Sequence, residues 1–295
     1  MTDSTDRALR AVSSDGTVRV FTCVTTNLVN ELQRRHGSWP VATAALGRTA
    51  SIAGMMGLQM KGDERLTVQI KGDGPLGTIM VDADSQGFVR GYVQNPHVHL
   101  PNNRKGKLNV GGGVGEGLLY VMRDMGLKDV YRGSSELQSG EIADDFTYYF
   151  AISEQTPSSV GAGVLVDTDN SVIVAGGFII QLMPGHTEAT IEKVERAVES
   201  MPSVTDLLRD IPTPLPHHLL ERLLPDAQIL EEHPLAFRCQ CSRSKVENTL
   251  RSLGVAEINS MLEENGEAEV ICHFCNEAYH FDGSELIRIR DSISL

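Results

Sequence analysis

The sequence predicts a protein of the α+β class, with a mostly antiparallel sheet domain, packed helices and a small C-terminal module. Strand-like segments between residues 66 and 94 follow one another through turns and not through helices, which predicts the sheet domain. Short helices broken by proline begin at Met183, and four of the five cysteines lie after residue 238. We therefore predict an N-terminal core domain at 1–182, a metastable helical linker at 183–234 and a C-terminal domain at 235–295.

Composition and charge indicate a globular protein and argue against one class of partner. Hydrophobic residues make up 41% of the 295 residues and charged residues 22%, as in chains that fold around a core. The net charge is −13, and the segment 232–295 has 6 Lys and Arg against 11 Asp and Glu. Because nucleic-acid binders usually present a basic face, we expect no nucleic-acid partner.

The sequence also predicts a compartment. The N-terminal residues MTDSTDRALR lack the apolar core of a signal peptide, so we expect the cytoplasm, where thiols are kept reduced. The apolar stretch Val41–Met60 consists mostly of small residues and contains Arg48. It predicts a buried helix and no membrane span.

The core domain begins with a predicted strand and two predicted helices. The strand Thr17–Val24 alternates, with its valines on one face and Cys23 on the other, where we expect a small buried residue. A helix is predicted at Asn27–His36. Ser38 is predicted to cap a second helix, which has Pro40 in its first turn.

The rest of the core domain is predicted as hairpins and one helix. Gly-rich and Asp-rich turns separate the strands, and one amphipathic segment interrupts them. The segment GGGVGEG at 111–117 matches neither phosphate-loop pattern, so we predict a turn or bulge there and no bound nucleotide. The predicted strands are Leu66–Lys71, Thr78–Asp82, Phe88–Gln94, Val160–Asp167 and Ser171–Gln181, and the helix is Gly140–Ser153.

The predicted linker consists of short helices that cannot be stable alone. Thr187–Ser200 is amphipathic, and Ser203 with Asp206 resembles a capping box. Six of the 12 prolines lie between Met201 and Pro234. The leucines of this segment must therefore pack on another part of the chain, and they are candidate client-binding residues if they become exposed: Leu215, Leu219, Leu220, Leu223 and Leu224.

The C-terminal domain is too small to build a sufficient core by itself, and its cysteines predict a metal staple. Cys239 and Cys241 form C-x-C, and Cys272 and Cys275 form C-x-x-C 30 residues later. Four thiolates complete a tetrahedral zinc site and leave no open position for a catalytic water. A site with three cysteines and one histidine, His273 or His280, is the less favoured alternative.

The same cysteines also permit a redox role. Thiolates are the species that oxidants attack, and each sulfur has a partner two or three residues away. Oxidation would remove the zinc ligands and unfold the domain. The spacing alone does not distinguish a purely structural zinc knuckle from a redox switch. Arg238, Arg243 and Lys245 are expected to offset part of the thiolate charge.

Several segments resemble the heat shock protein 33 family, the bacterial redox-regulated holdase chaperones. The C-terminal residues 239–282 resemble the switch domain of that family, and the four cysteines match its ligand positions. Cys23 lies outside the pattern. The N-terminal segments that carry the resemblance are RHGSWPVATAALGRT, QIKGDGPLGTIMVDAD, GFVRGYVQNP, SGEIADDFTYYFAISEQTPSSVGAGVLVD and AGGFIIQLMPG.

The resemblance implies a stress-response chaperone that is not an enzyme. In the reduced state it holds one zinc ion and is inactive. Under oxidative stress, disulfides Cys239–Cys241 and Cys272–Cys275 form and zinc leaves. The linker and tail then lose structure, and the protein dimerises and holds unfolded or misfolded client proteins without ATP. Two other functions stay open: a zinc-stabilised adaptor that binds proteins constitutively, and an enzyme of thiol–disulfide exchange.

Overall fold

The computed structural model describes residues 6–126 and 130–293. The described chain forms two compact units, one ending at Arg238 and the other beginning at Cys239. The first unit contains two large sheets with their helices, and the second contains a hairpin with three helices. This mixed architecture confirms the predicted α+β class.

The first unit comprises strands β1 to β11 and helices α1 to α7. The strands are β1 (Arg7–Val12), β2 (Val18–Val24), β3 (Arg65–Gly72), β4 (Thr78–Asp84), β5 (Phe88–Val93), β6 (Gly117–Asp124), β7 (Tyr131–Glu136), β8 (Ser158–Val166), β9 (Val172–Leu182), β10 (Gln228–Pro234) and β11 (Ala236–Phe237). The helices are α1 (Thr26–His36), α2 (Pro40–Gly57), α3 (Val110–Val114), α4 (Ala143–Ile152), α5 (Glu188–Glu199), α6 (Val204–Arg209) and α7 (Pro216–Leu223).

The second unit comprises three helices and two strands. These are α8 (Arg243–Leu253), α9 (Val255–Glu264), β12 (Ala268–Ile271), β13 (Ala278–Phe281) and α10 (Gly283–Asp291). β12 and β13 pair as an antiparallel hairpin, with Val270 opposite Tyr279.

The strands of the first unit pair almost entirely in the antiparallel sense. One sheet has the order β10-β1-β2-β9-β8, and the other has the order β11-β5-β4-β3-β6-β7. Among the described strands, only the short β11 runs parallel to its neighbour, β5. The prediction of a mostly antiparallel sheet domain is therefore confirmed, with the strands divided between two sheets.

Helix α2 is the centre of the larger core and contacts both sheets. Every residue of α2 except Pro40 and Arg48 is buried, which fits its high content of small side chains. At Gly47 a Cβ atom would lie 2.6 Å from Val29 and 2.9 Å from Val164, so no larger residue fits there. No described helix is both long enough and apolar enough to span a bilayer.

The start of α2 differs from the prediction by one residue. The N-cap residue is Trp39, and Ser38 does not cap the helix. Instead the buried Ser38 hydroxyl shares a 2.7 Å hydrogen bond with the Thr43 hydroxyl. Pro40 occupies the first turn as predicted, and its preference for an extended preceding residue places Trp39 in the cap conformation.

The segment GGGVGEG also differs from the predicted turn or bulge. It contributes most of the short helix α3 and the first residue of β6. The Asn109 side chain caps α3 by accepting a hydrogen bond from the backbone N–H of Gly112. The high glycine content of the segment argues against a helix, but the Asn109 cap stabilises its first turn.

A second core lies between the five-stranded sheet and the segment predicted as a linker. The sheet contributes one face of β1, β2 and β9, and α5, α6 and α7 pack on it. The Thr22 hydroxyl on β2 donates to the buried carbonyl of Pro216 at 2.9 Å and fixes the start of α7. The predicted valine face of β2 is therefore confirmed as the surface that these helices cover.

The predicted linker ends in a strand that the sequence did not indicate. β10 pairs with β1, and its side chains are almost all exposed. Ion pairs join Arg10 to Glu231 at 3.4 Å and Arg7 to Glu232 at 3.5 Å. A strand exposed on both faces shows no apolar alternation, so the pattern that predicts strands is missing here. The division of residues 1–234 into a core and a metastable linker stays a prediction.

Asp6 holds the start of α1 and has an unusual protonation behaviour. Its carboxyl group accepts hydrogen bonds from the backbone N–H of Leu28 at 2.6 Å and from the Asn27 amide at 3.2 Å. Burial raises the pKa of Asp6 to about 6, although these hydrogen bonds act in the opposite direction. The folded chain therefore keeps a proton on Asp6 at pH values where the unfolded chain has lost it.

We predict that Asp6 makes the first unit less stable as the pH rises from about 4 to about 6. A raised folded pKa means that the folded state binds more protons in this window, so the free energy of unfolding falls with rising pH. Between pH 4 and pH 7, the free energy of unfolding of the wild type should fall by about 2–3 kcal/mol relative to that of Asp6→Asn. Urea unfolding followed by the fluorescence of Trp39, the only tryptophan, measures this. A pH-independent difference would contradict the prediction.

Candidate metal centre

The first cysteine pair lies in an irregular segment that runs into α8. Cys239 and Cys241 precede Ser242, the N-cap residue whose hydroxyl accepts a hydrogen bond from the Lys245 backbone N–H. The Lys245 ammonium donates to the carbonyl of Gln240 at 2.8 Å. The first turn of α8 thus holds the C-x-C segment in two ways: through the bond from Lys245 to Gln240 and through the cap at Ser242.

The second pair lies in the turn of the β12–β13 hairpin. The backbone N–H of Cys272 donates to Glu277, and the N–H groups of Cys275 and Asn276 donate back to Cys272. Asn276 adopts a left-handed conformation with φ of 57°, which asparagine tolerates better than most residues. This tight turn points the two sulfurs to the same side.

The two segments meet so that all four sulfurs face one point. The Sγ atoms of Cys239, Cys241, Cys272 and Cys275 all lie within 4.8 Å of one another. Cys239 is 3.8 Å from Cys272, and Cys241 is 3.3 Å from Cys275, far longer than a disulfide bond. The structure therefore brings together the four residues that the sequence selected, all in the reduced form.

The sulfur geometry fits a tetrahedral metal ion. Zn–S bonds of about 2.3 Å in a regular tetrahedron place the sulfurs about 3.8 Å apart. The Cys239–Cys272 separation is 3.8 Å, and the Cys241–Cys275 separation is shorter, at 3.3 Å. Within the described residues the metal-capable group contains the four cysteines and no histidine. His280 is directed instead to Glu269, with its Nδ1 atom 3.2 Å from the carboxylate. The four cysteines can hold a metal ion, and their chemistry is compatible with zinc.

The thiols of the cluster differ in acidity. Burial acts to raise the pKa of Cys239, but hydrogen bonds from the Cys241 backbone and from the neighbouring thiols lower it to about 7. Burial raises the pKa of Cys272 and of Cys275. Because metal ligands must be deprotonated, Cys239 is the thiol that can supply the first thiolate near neutral pH.

The predicted basic neighbours have partners other than the sulfurs. Arg243 bonds to Glu285 at 2.7 Å and to the carbonyl of His280 at 2.8 Å, and it lies over the Phe281 ring. Arg238 lies over the Phe88 ring. The contacts of Arg243 join α8 to the hairpin and to α10, so this residue supports the fold of the second unit.

The sequence analysis missed one side chain at the cluster. The Tyr279 hydroxyl on β13 donates a hydrogen bond to the Cys241 sulfur at 3.2 Å. Strand alternation could have identified Tyr279. It lies two residues before Phe281 and so on the same face of the strand, and Phe281 is buried in the core of the unit. That core is small, and its buried members are Val246, Leu250, Ile258, Phe281, Leu286 and Ile289.

The fifth cysteine and the linker leucines lie in the first unit. Cys23 is fully buried, and burial raises its pKa, which confirms the prediction of a small buried residue. Leu215 is half-buried. The other four predicted leucines are buried in the second core, with Leu219 at 0% and Leu220 at 5% exposure. None of these four is available to a partner in this conformation.

Comparisons with known proteins give a consistent result. A family model described as Hsp33 protein matches residues 6–282. The 33 kDa chaperonin of Desulforamulus reducens is 50% identical over 286 residues, which cover 96% of this chain and 97% of the relative. The 33 kDa chaperonin of Bacillus subtilis is 49% identical over 288 residues, covering 97% and 98%.

A solved structure agrees with these relatives. The crystal structure of the 33 kDa chaperonin from Thermotoga maritima superposes with a TM-score of 0.92 at 36% sequence identity, covering 98% of each chain. The similarity therefore extends over both units and includes the cysteine cluster within the family match up to residue 282. This chain belongs to the Hsp33 family, a family of chaperones.

Proposed function

We propose that this chaperone is an ATP-independent holdase that is switched on by oxidation of its cysteine cluster. The proposal rests on one observation: four reduced thiols converge within 4.8 Å in a unit that has only a small apolar core. In the reduced state Cys239, Cys241, Cys272 and Cys275 would hold one zinc ion. The protein would then be folded throughout and inactive toward clients.

The cluster would determine whether the second unit is folded. Bound zinc would keep the four sulfurs as thiolates and cross-link two distant segments, with an apparent binding free energy of about 10–16 kcal/mol. A domain of this size rarely gains more than about 3–5 kcal/mol from its core. Loss of the four ligands would therefore remove most of what keeps the second unit folded.

Oxidation removes the ligands because a disulfide sulfur is not a thiolate. For each disulfide, two thiolates give two electrons to one molecule of hypochlorous acid and consume one proton. The oxidant leaves as water and chloride, so two molecules convert the four cysteines into two disulfides. Peroxide can accept the same electrons, and each molecule then leaves as two molecules of water after taking up two protons.

The disulfide pairing follows from chain entropy more than from proximity. All four sulfurs are mutually close, so the folded cluster does not select one pairing. Once the unit loosens, closing a short loop costs less entropy than closing one of 30 residues, which favours Cys239–Cys241 and Cys272–Cys275. Cys239–Cys241 requires a bent backbone, because an extended i, i+2 pair is near the upper limit of disulfide geometry. The oxidised chain would therefore not refold to the ligand geometry.

Activation would also have to uncover apolar surface in the first unit. Leu219, Leu220, Leu223 and Leu224 are buried against the five-stranded sheet, and each contributes about 1.5–3 kcal/mol to keeping α7 in place. Helix α5 is held less tightly, because Val194 is its only buried residue. A groove of about 570 Å³ separates α5 from β8 and β9. We infer that α5 detaches first and α7 last.

The exposed surface would bind unfolded or misfolded client proteins through apolar contacts. The same surface would join two oxidised chains in a homodimer. We place this activity in the cytoplasm, where the reduced state is maintained until an oxidative stress occurs. No nucleotide, nucleic acid or membrane enters the proposal.

Two other functions are separated from this one by simple measurements. A constitutive adaptor would keep its zinc through mild oxidation and would bind partners equally well before and after. An enzyme of thiol–disulfide exchange would reduce insulin with turnover. The similarity to 33 kDa chaperonins favours the holdase over both.

We predict that suppression of aggregation depends on oxidation. Light scattering of a heat-denatured client enzyme should fall several-fold with protein that has been treated with hypochlorous acid, and little with reduced protein. Cys23→Ala is the matched control, because it removes a cysteine outside the cluster and should leave the switch intact. Equal activity in the reduced and oxidised states would exclude the switch.

We predict that zinc and thiols change together. Reduced protein should carry one zinc ion per chain and five titratable thiols after denaturation, and oxidised protein should carry no zinc and one thiol, Cys23. A chromogenic chelator and a thiol reagent measure both quantities, and peptide mass spectrometry assigns the disulfides. Zinc that remains bound after the thiols are lost would contradict the proposal.

We predict that amide hydrogen exchange distinguishes the linker helices. In reduced protein α5 should exchange faster than α7, because it buries less apolar surface. After oxidation at elevated temperature, exchange in α5 and α7 should accelerate at least tenfold, while α2 stays protected. Unchanged slow exchange in α7 would show that these leucines are not the client surface.

A further inference from the structure

The Tyr279 side chain donates a hydrogen bond to one of the cluster sulfurs. Its hydroxyl lies 3.2 Å from the Cys241 Sγ atom, and its side chain is half-buried. A hydroxyl at this distance donates to a sulfur lone pair, and the bond is stronger when the sulfur is a thiolate.

Both ends of this hydrogen bond are fixed by the fold. On the donor side, Tyr279 sits in β13 opposite Val270, and Phe281 anchors the same strand face in the core. On the acceptor side, Cys241 is followed by the N-cap of α8, Ser242. Arg243 joins the two sides because it donates to the His280 carbonyl of β13. The contacts of the two strands and of α8 therefore hold the Tyr279 hydroxyl next to the Cys241 sulfur.

A hydrogen bond to a thiolate lowers its nucleophilicity. Oxidation by peroxide begins when a sulfur lone pair attacks one peroxide oxygen: the O–O bond breaks, hydroxide leaves and a sulfenic acid remains. A second thiolate then displaces hydroxide from that sulfur and forms the disulfide. The electron pair that Cys241 shares with the Tyr279 proton is less available for the first of these steps.

The geometry points to Tyr279 as a positioning residue that restrains Cys241 and sets the oxidant threshold of the cluster. The hydroxyl holds the sulfur toward the other three cysteines and withdraws part of its charge. Cys241 is thereby protected at the low oxidant levels of unstressed cells. This inference rests on the proposed redox switch and adds the group that tunes it.

Tyr279→Phe removes the hydroxyl and keeps the ring. With excess hydrogen peroxide, the variant should lose thiols and release zinc about tenfold faster than wild type, an effect of the size that supporting groups have on metal affinity. Tyr148→Phe is the matched control, because it makes the same change on α4, far along the chain from the cluster. It should oxidise at the wild-type rate.

A second readout separates the restraint from a structural role. In zinc-loaded protein, brief treatment with iodoacetamide followed by peptide mass spectrometry should show about tenfold more alkylation at Cys241 in Tyr279→Phe. Alkylation at Cys272 should change much less. A general loosening of the unit would raise alkylation at both cysteines and would overturn the inference.

The remaining outcomes are also decisive. A wild-type rate of thiol loss in Tyr279→Phe, with normal zinc release in wild type, would overturn the restraint and leave the switch intact. Loss of zinc from the variant before any oxidant is added would show that the hydroxyl is needed to hold the metal, which also overturns the restraint. Failure of wild type to release zinc on oxidation would instead overturn the proposed function.

Discussion

Four sulfur atoms from two segments separated by 30 residues meet within 4.8 Å in the second unit, and the proposed function depends on this cluster. In the described part of this unit, six apolar side chains are buried in the core, and a core of this size rarely stabilises a domain of this length without a cross-link. A cross-link made of thiolates is strong toward heat and weak toward oxidants, because the lone pairs that bind a metal are those that an oxidant attacks. If the four sulfurs hold a metal ion, as we propose, the stability of the unit and its sensitivity to oxidants have the same chemical origin.

In the first unit, apolar burial and hydrogen bonds hold the segments that lead to the cysteines. Helix α7 is fixed by buried leucines and by the hydrogen bond from Thr22, and β10 is fixed by main-chain pairing with β1. Just beyond β10, Leu235 is fully buried in the larger core, and its N–H donates to the carbonyl of Asp6. Only Arg238 separates β11 from Cys239. In the proposed switch, unfolding that starts at the cysteines would therefore have to disrupt this anchor before it reaches α5, α6 and α7.

The sequence predicted the elements whose patterns are local. Cysteine spacing identified the cluster, the stretch of small apolar residues identified α2, and apolar periodicity identified α5 and the valine face of β2. It did not predict β10, because that strand is specified by pairing and ion pairs with β1, more than two hundred residues away. The predicted N-cap of α2, Ser38, was wrong by one residue, because the Ser38 hydroxyl instead shares a buried hydrogen bond with the Thr43 hydroxyl. Tyr279 was missed because its partner lies in another segment.

The packing of α5, α6 and α7 bears on where a holdase could bind its clients. The linker leucines and the valines Val18, Val20 and Val24 of β2 are two sides of one interface. If the helices leave, both sides are exposed in the same step, because each was covered only by the other. A client then meets a flat sheet face and a flexible leucine-rich segment tethered beside it. The sheet provides extended apolar area, and the segment adapts to different sequences, a combination suited to clients that share only exposed apolar surface.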